Sequence, residues 1–403
     1  MTATLTVRPA GQPFLAYWSA LTAGALGDAI VSMAVPFLAL AAGGGVAGVG
    51  AVVLAGSLPR FLGPVYGLVA DRASARVLLA LCAVVRALGV GLIGFAALHL
   101  RVPLIALRLL ALLNGALATL AYTTGAALLP RLVSEEELPR ANSLLSAALM
   151  GTPLVGYGVG GALVHALGSG PTLLLAVPLL LSLAVAAPLL PARAPGAAGG
   201  GQAGRAWPDL VTGLRLCLEQ PLLRTLMLLG ALTNLALNLV NVRAPLTMTA
   251  LDDGASDYAV FEMLISGGAL GGIALVPVLS RRLGTDALIR LGSLVTVLGV
   301  ALLAAGGVEV WWSGGLLLGL GLGVLEVAAM TRLQRAVPEK LRGRVLGAFL
   351  TSNAAGLTLG AALGRLDVPS AWLMPAVAAV LLCAGLVWVQ VARSGADTSA
   401  TGV

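Results

Sequence analysis

Six ionisable side chains interrupt long apolar stretches of this 403-residue chain: Asp28, Arg60, Arg86, Arg108, Glu262 and Glu326. No nucleophile elbow, phosphate-binding glycine loop or metal-ligand cluster accompanies them. Cys82, Cys217 and Cys383 form no CxxC pair, and His99 and His165 stand alone, so a structural or interfacial role suffices for each. The chemistry open to such a set is the handling of charge: taking up a proton, pairing with a counter-charge, or gripping a polar solute. If the stretches cross a bilayer, a charge near mid-depth costs about 2.5–3.5 kcal/mol on the lenient insertion scale. Each one therefore needs either a partner or a task.

Their positions separate them. Asp28 lies about 15 residues into the first stretch, roughly 22 Å along a helix. Arg60 and Arg86 each lie about ten residues from the 71–76 loop, too deep to snorkel easily. Neither has an acidic residue one turn away on its own segment, so the partner comes from another segment or from a bound solute. Arg108 is about six residues from the end of its stretch, where either pairing or snorkelling serves. Glu326 stands about nine residues before Arg335 and either handles a proton or cation or pairs with Arg332 or Arg335. Glu262 is only a few residues into its stretch, where contact with headgroups or water is expected. Asn234, Asn238 and Asn241 recur at i, i+4 and i+7 on one helical face. That face is either a polar wall for a solute or an interhelical hydrogen-bond seam.

The elements that must position these residues are plain in the composition. The chain is 59% hydrophobic and 10% charged, with a mean hydropathy of +0.99. A soluble domain carries about 25% charged residues. Twelve apolar stretches stand near 13–41, 46–70, 77–98, 102–129, 141–167, 170–190, 221–247, 259–280, 286–306, 310–331, 344–363 and 368–391, most near the ~20 residues that cross the hydrocarbon. The expected fold is all-α, with twelve transmembrane helices in two pseudo-symmetric six-helix halves, 1–190 and 220–392. Between them, 191–219 reads as a glycine-rich cytoplasmic linker followed by a short amphipathic helix, and 393–403 as a disordered tail. The first stretch is too long for a signal h-region and reads as a retained anchor.

The pI near 10 does not point to nucleic acid. The basic residues fall in alternate loops, among them Arg72, Arg76, Arg131, Arg140, Arg281, Arg282, Arg335 and Arg344, and the opposite loops carry few. This positive-inside pattern predicts both termini in the cytoplasm. Internal repetition agrees with two halves: Arg131–Arg140 after the fourth stretch aligns with Arg335–Arg344 after the tenth, about 204 residues on. Lys340 is the one lysine among 24 basic residues, a bias that suggests a high-GC bacterium and hence its plasma membrane.

The turn between the second and third stretches reads Gly67-x-x-x-Asp71-Arg72-x-x-x-Arg76 and resembles the signature loop of the major facilitator superfamily. Leu26-Gly27-Asp28, Leu58-Pro59-Arg60, Pro130-Arg131 with Arg140-Ala141-Asn142, and Gln334-Arg335 with Arg342-Gly343-Arg344 are similar to the proton-driven drug antiporter branch, typified by macrolide-efflux proteins and the enterobactin exporter. The resemblance implies that helices 1, 4, 7 and 10 line a central cavity. On that footing Asp28 and Arg108, at matching depths, face each other across it. Protonating the aspartate would release the arginine. It also implies that Asp71 caps the eleventh helix while Arg72 and Arg76 tie the halves together as a gate. Gly63, Gly67, Gly156 and Gly160 would let helices approach. In the glycine-rich fifth stretch, Tyr157 stands where the antiporters usually place a proline.

The expectation is a secondary transporter without enzymatic activity or resident cofactor, driven by the proton gradient. Its partners would be protons, a small molecule and the lipid bilayer, and the protein would act as a monomer. Export of a hydrophobic or amphipathic compound (antibiotic, siderophore or secondary metabolite) leads. Import of a polar nutrient and a non-transporting scaffold or sensor remain the alternatives.

Overall fold

The computed structural model describes residues 11–191, 206–251 and 254–400. The glycine-rich linker at 192–205 and Asp252 and Asp253 lie outside the described residues, as does the side chain of Asp71. Among the described residues the chain is helical throughout, and twelve helices are long and apolar enough to cross a membrane. In chain order the helices are α1 (Gln12–Ala41), α2 (Gly45–Ser57), α3 (Gly63–Arg72), α4 (Ala75–His99), α5 (Leu104–Leu128), α6 (Leu138–Leu167) and α7 (Ser169–Ala186). Then follow α8 (Ala206–Glu219), α9 (Pro221–Leu251), α10 (Gly254–Leu279), α11 (Thr285–Leu302), α12 (Val308–Ala336), α13 (Glu339–Gly364) and α14 (Ser370–Ala400). Helices α2 and α3 are the two parts of the second span. Where a tail was expected from 393, α14 continues to Ala400, with no proline between Ala392 and Ala400 to stop it.

Helical spans are forced by the solvent, since lipid offers no partner for a bare N–H or C=O. The second span departs from this in one place. Leu58–Leu62 winds as a tighter 3-10 turn between α2 and α3. Pro59 and Pro64 lack an N–H, so the α-ladder is cut there. Such a break survives only where it faces protein or water, and it carries Arg60.

Association of apolar helices in lipid rests on close approach of backbones. Two glycine stripes at i, i+4, i+8 do this in the second half. Gly315, Gly319 and Gly323 of α12 press on Phe261, Ile265 and Ala269 of α10, and Gly356, Gly360 and Gly364 of α13 press on Ala231, Leu235 and Leu239 of α9. In the first half a Cβ at Gly156 of α6 would stand 2.5 Å from Ala29 Cβ of α1, and one at Gly160 would stand 3.0 Å from Met33 Cγ.

The arginine-rich loops lie at one end of the bundle, here termed the basic end. Each half is fastened there separately. Arg76 donates to the carbonyls of Pro188, at 2.6 Å, and Leu190, at 3.0 Å. Arg332 pairs with Asp286 at 2.9 Å, and Trp388 donates to the Asp286 carbonyl at 3.4 Å. At the opposite, far end the halves meet. Phe37 of α1 packs edge-on against Tyr258 of α10 with ring centroids 5.9 Å apart. Met263 of α10 sits against Gly158, and Ala259 against Gly161, both on α6.

At the basic end the halves are parted. A Cβ at Gly63, Gly67, Gly151, Gly271 or Gly347 would meet nothing within 4 Å. Two expectations are corrected by this. A Cβ at Gly63 or Gly67 would touch no helix in this conformation, and Arg76 is bonded to carbonyls of its own half instead of across to the other. Arg72 is exposed.

The same substitution on one helix tests the arrangement. Gly161→Val overpacks the α6–α10 contact and should cost about 1–3 kcal/mol, read as a lower melting temperature of the purified protein. Gly151→Val, three turns away in open space, should leave the melting temperature unchanged.

Candidate functional site

Between the halves lies a cavity of about 1360 Å³. Its wall runs from Val35, Pro36 and Val49 near the far end to Gly63, Tyr122 and Arg344 near the basic end. Helices α1, α2, α5 and α6 supply one side, and α9, α10 and α13 the other. Helix α12, the tenth span, contributes no residue to this wall. That corrects the expected quartet of lining helices: α12 gives its glycine face to α10 and packs along α11. Glu326 is accordingly exposed and outside the wall.

The first charge cluster is built by three helices. Arg86 of α4, 5% exposed, sits behind the wall. Its Nη2 pairs with Asp28 Oδ1 of α1, and its Nε donates to Asn114 Oδ1 of α5 at 2.8 Å. Asp28 and Asn114 themselves face the cavity. The expected Asp28–Arg108 pair is therefore replaced by Asp28–Arg86. Asn114 lies about 240° around α5 from Arg108 at 3.6 residues per turn, so a register that presents the asparagine turns the arginine away. Arg108 is half-buried, and its Nε has no hydrogen-bond partner.

The second cluster belongs to the other half. Glu262 of α10 is 5% exposed and lines the cavity, where headgroup or water contact was expected. The reason is direction: its helix face turns inward with Tyr258, one turn earlier, whose hydroxyl hydrogen-bonds the carboxylate. Asn241 of α9, in the amide orientation that satisfies both its ends, donates to Glu262 Oε1 at 3.3 Å. Glu262 forms no ion pair among the described residues. Tyr157 of α6 stands between the clusters, within electrostatic reach of Glu262, Asp28 and Arg60.

All three asparagines of α9 line the cavity, and one is also a seam. Asn238 donates to the Leu357 carbonyl of α13 at 2.7 Å and to Ser57 Oγ of α2 at 3.1 Å, so it ties the two halves at mid-depth. Asn234 donates to the Gly230 carbonyl one turn back at 2.9 Å. The structure thus brings Asp28, Arg60, Asn234, Asn238 and Asn241 to one cavity, with Arg86 behind it, and leaves Arg108 and Glu326 out. Glu262, Tyr258, Tyr157 and Asn114 join the site unforeseen. The i, i+4 spacing of Tyr258 and Glu262 was the available signal for two of them. Among the described residues no group of histidine, cysteine or carboxylate side chains could hold a metal ion.

Two helical halves around a polar central cavity are the architecture of a membrane transporter. The Major Facilitator Superfamily profile matches residues 17–361, and the chain belongs to that family. Family and fold are those of transporters, not enzymes. Among curated relatives, the enterobactin exporter EntS of Shigella boydii serotype 18 is 28% identical over 288 residues, covering 68% of this chain and 66% of that protein. EntS of Escherichia coli O1:K1 is 27% identical over the same extent. The match thus spans just under two thirds of those relatives' length. Solved structures with the same fold include the nucleoside transporter NupG (TM-score 0.76, 14% identity, 94% of this chain and 99% of that chain). A bacterial homologue of the iron transporter ferroportin in an inward-facing state superposes with a TM-score of 0.69 at 19% identity, covering 94% of this chain and 98% of that chain.

Asp28→Asn leaves the Arg86 guanidinium buried without its counter-charge. The expected loss is about 3–5 kcal/mol, towards the lower end because Asp28 opens on a wet cavity. The double variant Asp28→Asn/Arg86→Met removes both charges and should recover most of it. Thermal unfolding of the parent, both single variants and the double variant gives the coupling. Additive losses would show that the two side chains do not act as a pair.

Proposed function

We propose that this transporter is a proton-coupled exporter of an amphipathic or hydrophobic small molecule, of the siderophore or antibiotic kind. The observation that carries the reading is Glu262: a cavity-lining carboxylate held only by neutral groups, Tyr258 and Asn241, while the other cavity carboxylate, Asp28, is tied to Arg86. A carboxyl oxygen that takes a proton can no longer accept a hydrogen bond there from a solute hydroxyl or ammonium. Proton and substrate then compete for one group, and competition is the thermodynamic condition for exchange in opposite directions. Asp28 and Arg86 give the site a fixed pair that orients Asn114 towards the solute.

The sidedness rests on charge topology. The positive-inside rule supports assigning the basic end, and with it both termini, to the cytoplasmic side of a bacterial inner membrane. The cavity opens at that end and is closed at the far end by Phe37, Tyr258 and Met263. A cavity open to the cytoplasm is the loading state of an exporter and equally the release state of an importer, so the choice of export rests on the similarity to exporters. Similarity to enterobactin exporters supports the substrate class. The protein is taken to work as a monomer, each half rocking on the other about the Asn238 node.

One observation favours a second reading, import of a polar solute: asparagines 114, 234, 238, 241 and 353 make the wall more hydrogen-bonding than a lipophilic substrate needs.

Proteoliposomes containing a pH-sensitive dye separate the two. A panel of catechol siderophores, macrolides and lipophilic cations should include a compound that drives proton movement opposite to its own. Glu262→Gln should abolish the proton signal and keep substrate binding within about threefold. Proton movement that persists undiminished in Glu262→Gln removes Glu262 from the coupling route. Uptake of a labelled sugar or nucleoside with the proton would establish the second reading.

A further inference from the structure

We infer that Arg60 is the seat for an anionic group on the transported molecule, so that the substrate is an amphipathic anion. This rests on the cavity being the substrate site and goes beyond it by naming a charge.

The argument begins with how this protein treats guanidinium groups. Each carries five N–H donors in a planar fork, and inside an apolar bundle these need acceptors. Arg86 has Asp28 and Asn114, Arg332 has Asp286, Arg243 has the Leu366 carbonyl, and Arg76 has two carbonyls. Arg60 makes no hydrogen bond or ion pair with any described residue, and unlike Arg108, whose Nε also lacks a partner, it lines the cavity. Its side chain opens into the cavity, with the neutral phenol of Tyr157 nearby.

The backbone holds it there. Arg60 sits in the 3-10 turn between Pro59 and the Gly63–Pro64 restart of the helix. The ring of Pro59 fixes that proline's own φ immediately before Arg60, and the turn interrupts the span at about mid-depth. A broken span at the midplane is where transporters place binding groups, and here the break presents a cation.

The wall around it mixes polar groups, such as Ser57, Tyr157 and Asn353, with an apolar strip. Across the cavity α13 offers Leu350, Ala354 and Leu357, and Leu350 is exposed to the open space. A guanidinium facing an apolar wall matches a molecule with a carboxylate, sulfonate, catecholate or phosphate on a hydrophobic body. Arginine reads such planar oxygen pairs with two parallel hydrogen bonds. Glu262, with Asn241 beside it, meets the solute's neutral donors and acceptors from α9 and α10, on the other half from Arg60.

The test uses the full-length protein in phosphatidylcholine nanodiscs. 1-Anilinonaphthalene-8-sulfonate and N-phenyl-1-naphthylamine share the same ring system and differ by the sulfonate. Binding of each is titrated by fluorescence with empty discs subtracted. The parent should prefer the sulfonate by about tenfold or more, as a charge-assisted hydrogen bond provides. Arg60→Gln should erase the preference and leave the neutral probe's affinity unchanged. Arg60→Lys, which keeps the charge and loses the fork, should retain part of it and guards against misfolding of the glutamine variant. Arg290→Gln, the same charge change on exposed α11, should leave the preference intact. Equal affinities in the parent, or a preference that survives Arg60→Gln, overturns the proposal. So does loss of the parent's preference when phosphatidylglycerol is added to the discs, because the arginine then seats a lipid headgroup. A sulfonate preference that depends on Arg60 with no proton release in proteoliposomes would keep this inference and sink the coupling reading.

Discussion

In hydrocarbon no polar group can be left without a partner, and this constraint sorts nearly every residue of the chain. Backbone groups close on themselves as helices. Hydroxyls fold back onto the carbonyl one turn earlier, as Thr124 does to Leu120 and Thr233 to Leu229. Charges cannot fold back in that way. They survive in pairs, as Asp28 with Arg86, at loop ends, as Arg332 with Asp286, or along a wet cavity, as Arg60. The cavity is therefore where the chain keeps the polar groups that its own helices do not satisfy.

The same constraint sets how the halves hold together. Water drives no helix association in lipid, so contact depends on backbones coming close. Within the second half the stripes Gly315–Gly319–Gly323 and Gly356–Gly360–Gly364 do this over three turns each. Between the halves the tightest glycine contacts join α6 to α10 near the far end and Gly50 of α2 to Arg365 beyond α13, with Ser57 of α2 meeting Asn238 of α9 at mid-depth. Each half is thus a firmly packed body, and the seam between them is tight at only one end. That is the mechanical requirement for rocking about a central node.

Much of this could be read in the sequence, and the limits have physical causes. The twelve spans follow from hydropathy over about 20 residues, and the two halves from the Arg131–Arg140 and Arg335–Arg344 repeat, because both are local or periodic signals. That charges such as Arg60 and Arg86 need partners from elsewhere also follows from their own helices. Which partner each finds does not. Asp28 pairs with Arg86 from a helix behind it and not with Arg108 at its own depth, since depth is one coordinate and rotation about the helix axis is another. Glu262 shows the same limit: its place near a helix end suggested an interfacial residue, whereas its rotation turns it inward beside Tyr258 and Asn241. The state of the signature loop was likewise hidden. In this conformation Gly67 meets nothing within 4 Å and Arg76 bonds carbonyls of its own half, and neither could be read from the loop's residues alone.

That conformation links the loop to the site. With the basic end open, Arg76 is bonded to the Pro188 and Leu190 carbonyls at the end of α7, and α3 and α13 stand apart. Closing that end would bring Gly63 and Gly67 towards Gly347 of α13, where the absence of side chains lets backbones meet. Helix α3 is joined through the 3-10 turn to Arg60, so a closing motion at the loop is carried into the cavity wall within about two helical turns. Asn238, bonded to both Ser57 of α2 and Leu357 of α13, lies beside that turn and bridges the halves at the same level. A solute held by Arg60 would thus contact the segment that must move, and its binding energy would act directly on the opening of the basic end. The break in the second span, a weakness in a purely structural helix, joins the α3 end of the signature loop to the stretch of cavity wall that carries Arg60.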